Sequence, residues 1–512
     1  MMSQLSAWFR KGFPSESSGA RAEFLLSRWL FLRLLGVVYL AAFLSLGVQV
    51  RGLIGSQGIL PVTDYLTAVR QATATERYYL LPTLCWLDAS DASLIGQCIA
   101  GVVLSAALIS GIAPVPVLVL LWALYLSLTV VGQEFLGYQW DALLLETGFL
   151  AILLAPWQWW PRRPSRRAPS RVILWLFRWL VFRLMFGSGV VKLLSGDQSW
   201  RSLRALQCHY ETQPLPNWSS WYMHQLPDWF QQLSVMFTFG AELLVPILIF
   251  GPRRARLLAC GGIVALQLLI AATGNYGFFN LLTIALCVLL LDDAVYPARW
   301  QTWFASPEEL RDSSQVRNWG GWLTYPVAAG IFLMSTVGFV QNCGLPAHWP
   351  AWLGQVHRTV AAFRSVNSYG LFAIMTTRRP EIVIEGSEDG ESWKPFEFRW
   401  KPGDPSRRPR FAGLHMPRLD WQLWFAALGS CQENRWFVPF MARLLQGSPE
   451  VQALLEPSPF PDRPPRYIRA ILYQYHFTDP ATRRAEGTWW RREQIGLYCP
   501  VLSLQRSGTD AR

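Results

Sequence analysis

Apolar positions in this chain come in long unbroken runs up to about residue 340 and in short alternating bursts after about residue 360. A helix needs about 20 predominantly apolar residues to cross a bilayer, and the run from Trp29 to Val50 is long enough. Further runs cover about 94–112, 115–131, 142–156, 172–194, 234–250, 255–273, 276–291 and 323–340, several of them short or broken by Gly and Pro. The pattern therefore predicts about nine helical spans over residues 29–340. Residues 1–28 are polar, with Arg10, Lys11, Arg21 and Arg28, and the first run carries no small-residue cleavage site, so it is read as a retained anchor.

The C-terminal part, residues 341–512, reads as a separate extramembrane α+β domain. Glu381-Ile-Val-Ile-Glu385 alternates polar and apolar residues, and Trp393 to Trp400 does so again; Asp389-Gly390 between them supplies the positive-φ residue a hairpin turn favours. Residues 415–455 have helical periodicity, and 456–466 is a Pro-rich crossing. No internal repeat of fixed period is present.

Composition agrees with this division: 52% of the 512 residues are hydrophobic and 16% are charged, too apolar for an ordinary soluble chain. Trp clusters such as Trp157-Gln-Trp159-Trp160 suit a bilayer interface. The net charge of +12 does not point to nucleic acid, because the tight basic clusters, Arg162 to Arg171 and Arg253 to Arg256, directly adjoin apolar runs. Positive-inside anchoring accounts for them. With a cytoplasmic N-terminus, parity puts both clusters on the cytoplasmic side, together with the acidic 292–322 loop (Asp292, Asp293, Glu308, Glu309, Asp312). It puts loops 51–93 and 195–233 and the whole C-terminal domain on the far side.

The eight cysteines lack CxxC or Cys/His ligand spacing, so no metal or cofactor is implied. Parity places Cys85, Cys208, Cys343, Cys431 and Cys499 on the far side, where disulfides are permitted but their spacing fixes no pairing. Asn217-Trp-Ser219 on the same side is a glycosylation sequon that a eukaryotic source would use.

An ionisable group at mid-membrane costs roughly 2.5–3.5 kcal/mol and is usually paired or functional. Asp141 and Glu146 start the fourth run, Arg183 lies within the fifth, Lys192 near its end and Glu242 within the sixth. Arg183 and Lys192, nine residues apart, face opposite sides of a helix and need different partners. Pro246, four residues after Glu242, leaves the Glu242 carbonyl without its helical donor.

Several longer strings are specific: Gln139-Trp140-Asp141-Ala-Leu-Leu-Leu-Glu146, Arg183-Leu-Met-Phe-Gly187, His209-Tyr210-Glu211-Thr-Gln-Pro-Leu-Pro216 and Asn367-Ser-Tyr-Gly-Leu-Phe-Ala-Ile-Met-Thr-Thr377. Asn275-Tyr-Gly-Phe-Phe-Asn280, Trp400-Lys-Pro-Gly403, Arg418-Leu-Asp420-Trp421 and Pro464-Pro-Arg-Tyr467 extend the set. Across nearly the whole chain they resemble the lipase maturation factor family. That resemblance implies a non-enzymatic, chaperone-like membrane protein of the endoplasmic reticulum, its C-terminal domain lumenal, whose clients are secreted lipases. It marks Trp140, Asp141, Glu146, Arg183, His209, Tyr210, Glu211, Asn367, Arg418, Asp420 and Trp421 as client-binding or structural positions. The implied partners are membrane lipid and client proteins. The chain ends Thr509-Asp-Ala-Arg512 without a retention signal, and Arg outnumbers Lys, which suits a bacterial gene; the inner membrane would then replace the endoplasmic reticulum. A folding client exposes apolar groups, and the far side offers Trp200, Trp218, Trp221, Tyr222, Trp229, Trp349, Trp352, Trp421, Trp424, Trp436, Trp489 and Trp490 as surface or as core.

A shorter stretch, Ser188-Gly-Val-Val-Lys192-Leu followed by Trp200, is similar to vitamin K-dependent γ-carboxylases. It implies an enzyme in which a neutral Lys192 acts as base, with His209 and Glu211 orienting a substrate.

Overall fold

The computed structural model describes residues 23–160, 168–304, 319–345 and 349–504. Arg10, Lys11, Arg21, the arginines from 162 to 167, Glu308, Glu309, Asp312 and the 509–512 tail lie outside them. Each predicted run is a helix: α1 Leu25–Gly47, α2 Asp91–Ser110, α3 Pro114–Val131, α4 Gln139–Leu154, α5 Arg171–Leu194, α6 Asp228–Phe250, α7 Arg253–Thr273, α8 Phe279–Val288 and α9 Gly321–Asn342. Among the described residues, seven are long and apolar enough to cross a membrane. The other two are α4, with 16 residues and the acids Asp141 and Glu146, and α8, with 10 residues. The chain is an integral membrane protein.

Helix α1 packs against α2 and α8, α3 against α2 and α4, and α9 against α5. At the α1–α2 crossing a side chain on Gly101 would meet the Phe43 ring at 2.4 Å, so a missing Cβ sets that close approach. Helix α6 is not continuous. It passes through a π-helical turn at Gly240–Leu244 and a tighter 3-10 segment at Val245–Phe250, where Pro246 cannot donate to the helical ladder.

One end of the bundle gathers the start of α1 with the loops after α6 and α8. Asp293 accepts from the backbone amides of Leu25 (2.9 Å) and Leu26 (3.0 Å), capping α1 from a distance, and Arg253 Nε donates to Asp292 at 2.8 Å. Asp292 and Asp293 thus serve to close this end. The C-terminal domain covers the other end, touching residues 45–58, 133–141, 205–217 and 275.

That domain holds a four-stranded antiparallel sheet in the order β2-β1-β3-β4: β1 Arg379–Ser387, β2 Lys394–Phe396, β3 Tyr467–Phe477 and β4 Trp490–Leu502. The predicted hairpin is β1–β2, and Gly390 adopts φ 83° in its turn. The predicted helical stretch contains α10 Arg418–Ala427 and α11 Phe437–Leu445. One disulfide, Cys431–Cys499, ties the turn after α10 to edge strand β4. One large apolar cluster runs from the spans into this domain, and two smaller ones, around Trp221 and Trp200, flank the junction, so the domain is seated on the bundle rather than tethered to it.

Candidate functional site

Residues 367–375 form a strap, with a turn at 371–374, laid across the ends of α4 and α5 that meet the C-terminal domain. Glu146 holds its start: one carboxylate oxygen takes the Arg183 guanidinium, and the other accepts from the Asn367 amide (3.0 Å), the Asn367 side chain (3.1 Å) and the Tyr369 hydroxyl (2.7 Å). Arg183 also donates to the Asn367 carbonyl at 2.8 Å. Glu146 is wholly buried and Arg183 is 2% exposed. Further along, Gly370 N donates to Gln139, Lys192 Nζ to the Leu371 carbonyl (3.0 Å), Trp200 Nε1 to the Phe372 carbonyl (3.1 Å), and Met375 N to Asp197 (2.6 Å). The Asn367–Thr377 string is conspicuous in the sequence because a run of backbone groups outside any sheet must find side-chain partners one by one.

A second centre fastens the C-terminal domain. Arg418, at the start of α10, makes a bidentate pair with Asp141 (2.7 and 2.9 Å) and donates to the Phe135 carbonyl at 2.8 Å, while Tyr125 donates to the same carboxylate. Gln49 accepts from Arg418 N at 2.9 Å, and Ser45 accepts from Met416 N at 2.9 Å. The Trp140 and Trp421 rings meet edge to face at 4.7 Å. Asp420 faces the other way and accepts from Trp400 N and Lys401 N; burial nevertheless pushes its carboxyl up to about 6.

A third centre lies under the segment 205–217, which begins with the helix Ala205–Thr212. Glu211 accepts from Phe477 N at 2.8 Å and sits 3.0 Å from His476 Nδ1. Its backbone carbonyl accepts from Arg379, as do those of Gln213 and Pro214. Arg379 is paired with Glu381 at 2.6 Å, and Lys401 lies 2.9 Å from that carboxylate. Nothing in the sequence marks Arg379 and Glu381 as candidates; the usable signal is Lys401, one of four lysines.

The fourth centre is a chamber of about 350 Å³ beside the broken part of α6, lined among others by Lys192, Trp200, His209, Tyr210, Glu242 and Tyr276. Lys192 Nζ bonds both Glu242 oxygens (2.9 and 2.8 Å), the Ser188 carbonyl and the Leu371 carbonyl. Arg183 and Lys192 do take different partners, Glu146 and Glu242, as their helical spacing requires. Burial, reinforced by Lys192, holds the His209 imidazole down at about 4, and its Nε2 lies 3.3 Å from the Tyr276 hydroxyl.

Three expectations need correction. Lys192, His209 and Glu211 are not one constellation. Two residues apart on a helix are about 200° apart, so Glu211 turns to β3 and is absent from the chamber lining. Lys192 has its ammonium protons committed to a carboxylate and two carbonyls, the opposite of a free base. Asn217 is fully buried, caps the Trp218–His224 helix and donates to the Ala272 carbonyl, leaving no room for a glycan. Of the twelve far-side aromatics, Trp200, Trp221, Trp421, Trp424, Trp436, Trp489 and Trp490 are buried core; Trp218, Tyr222, Trp229 and Trp352 stay exposed, with Trp349 between.

No solved structure matches the chain. Residues 26–298 match the model of the lipase maturation factor transmembrane domain, and residues 365–500 that of the lipase maturation factor C-terminal domain. Among similar proteins, lipase maturation factor 2 of Gallus gallus is 37% identical, over 93% of this chain and 81% of its own length. Lipase maturation factor 2 of Homo sapiens is also 37% identical, over 94% and 83%. Lipase maturation factor 1 of Homo sapiens is 36% identical, over 94% and 88%. With helices α1 to α8, the strap and nearly all of the C-terminal sheet inside the two family matches, and with these relatives covering more than nine-tenths of the chain, the chain belongs to the lipase maturation factor family.

Proposed function

We propose that this protein acts in lipase maturation as a membrane-embedded, non-enzymatic assembly factor, its C-terminal domain on the non-cytoplasmic side where exported clients fold. The observation that carries this reading is the kinship with lipase maturation factors over more than nine-tenths of the chain. The sidedness draws support from the arginines Arg253 and Arg256 at the bundle end opposite the C-terminal domain, and from Cys431–Cys499, which suits an oxidising compartment. That compartment is the endoplasmic reticulum lumen in a eukaryotic cell and the periplasm in a bacterial one. Lys192, His209, Asp141, Glu146 and Arg418 serve as architecture in this reading. Client contact falls to the aromatic and arginine surface that remains accessible, where Arg408 stacks over exposed Trp218 (4.8 Å) and Arg483 over exposed Tyr222 (5.6 Å).

The test is to express a secreted lipase with and without this protein in cells lacking it, and to measure recovered lipase and its specific activity. Both rise with the protein if the reading holds; unchanged recovery and activity would reject it. A Tyr222→Ala, Arg483→Ala double variant should lose the gain while keeping the disulfide. Protease added to sealed, right-oriented vesicles checks the sidedness: cleavage of residues 365–500 from the cytosolic face would overturn it.

A further inference from the structure

Helix α7 stays packed against the Val245–Phe250 part of α6 and parts from the Asp228–Phe239 part beyond the π-helical turn. The chamber fills that wedge, and its volume of about 350 Å³ lies in the range of roughly 300–1,000 Å³ typical of small-molecule sites. Leu233 and Phe237 of α6 and Leu269 of α7 line it and are also about half-exposed on the outer flanks of the two spans. It therefore opens sideways, where lipid lies, rather than into water.

The closed end is polar and carries no net charge. Among the described residues, the charged groups of the lining are Lys192 and Glu242, which neutralise each other. His209 is uncharged at physiological pH; because the Tyr276 proton goes to Gln213, the His209 Nε2–H donates to the Tyr276 hydroxyl and Nδ1 is left as an acceptor. Tyr276 donates its hydroxyl proton to Gln213 at 3.0 Å and keeps an acceptor lone pair free. An anionic head would find no unspent cation here and would lose its hydration uncompensated.

We propose that the chamber binds a neutral single-chain lipid amphiphile, its acyl chain between α6 and α7 and its hydroxyl head donating to the acceptors at His209 and Tyr276. This site is independent of the client-maturation role. A neutral head gives the polar end hydrogen bonds without disturbing the Lys192–Glu242 pair, while the chain replaces lipid contact along the open flank.

The full-length protein in nanodiscs is photolabelled with a diazirine-bearing monoacylglycerol, and the adducts are mapped by mass spectrometry. Adducts should fall on the α6 segment around Ser234 and Phe237 and on α7 around Ile270, and excess unlabelled monoacylglycerol should abolish them. Ser234→Trp and, from the opposite wall, Ile270→Phe fill the chamber and should each cut labelling at least about tenfold, with monodisperse elution and an intact Cys431–Cys499 bond showing that the fold survives. Leu268→Trp, on an outward residue that is 56% exposed and outside the lining, should leave labelling unchanged. Adducts spread over all lipid-facing helices, or labelling that both fillers leave intact, would overturn the site. Oleate competing as well as the monoacylglycerol would overturn the neutral head.

Discussion

Glu146–Arg183 and Lys192–Glu242 are both buried ion pairs between apolar helices, and both hold the 367–375 strap, yet their surroundings differ. Around Glu146 every neighbour is protein: the strap's own amide, the Asn367 side chain and the Tyr369 hydroxyl complete the carboxylate's bonds. Around Lys192 the bonds are equally good, but one side of the pair borders a chamber that opens between α6 and α7. A buried pair repays its desolvation only when the remaining bonds are made. The first therefore acts as a lock, and the second as the polar wall of a site.

The strongest way to break this comparison is at the lock. Glu146→Leu leaves the Arg183 guanidinium buried without its partner and removes three hydrogen bonds to the strap; it should cost roughly 3–5 kcal/mol, read as a lower thermal midpoint in detergent and rapid trypsin cleavage near residue 365. Lys192→Met should cost less, about 1–3 kcal/mol, because Lys192 holds the strap by one bond, to the Leu371 carbonyl, against three from Glu146. Equal losses at the two positions, measured in the same melt, would erase the distinction.

A pH titration sharpens it. The folded protein holds His209 at about 4 against an ordinary 6.5, so the unfolded chain takes up a proton first as pH falls. The stability from burying a neutral imidazole is complete above 6.5 and is lost progressively toward 4. His209→Gln should show a shallower loss over that window. Asp420, raised to about 6, works in the opposite sense: its contribution is present at low pH and lost as pH rises through 6, so the comparison is made against His209→Gln at each pH. The smallest effect belongs to Arg463→Ala. Its partner Glu388 is as exposed as a surface pair usually is, and a change below about 1 kcal/mol is expected in the same melt.

Helix positions were legible because a bilayer sets one length and one composition for any span, so all the apolar runs became helices, α4 and α8 included. The first hairpin was legible because Asp389-Gly390 has a single turn chemistry. Strands β3 and β4 were not: their long twisted pairing mixes exposed and buried positions, and β4 is largely exposed as the sheet edge. Among the candidate residues, Asp141, Glu146, Arg183, Lys192 and Glu242 stood out through the cost of charge in an apolar run. Their pairing stayed hidden, since Arg418 meets Asp141 across 277 residues of sequence. Arg379 and Glu381 were invisible for a related reason: in a polar segment, charge is no anomaly.

The amino-acid sequence by itself determined where the chain enters lipid, which charged groups cannot stand alone there, and to which family the rare strings belong, because solvation and local turn chemistry act on neighbours along the chain. Only the tertiary structure decided which charges meet, that Cys431 pairs with Cys499, that Asn217 is spent as a helix cap, and that a break in α6 opens a chamber beside Lys192. Those outcomes depend on helices and loops distant in sequence arriving at one place, and apolar periodicity specifies which face is buried without specifying against what.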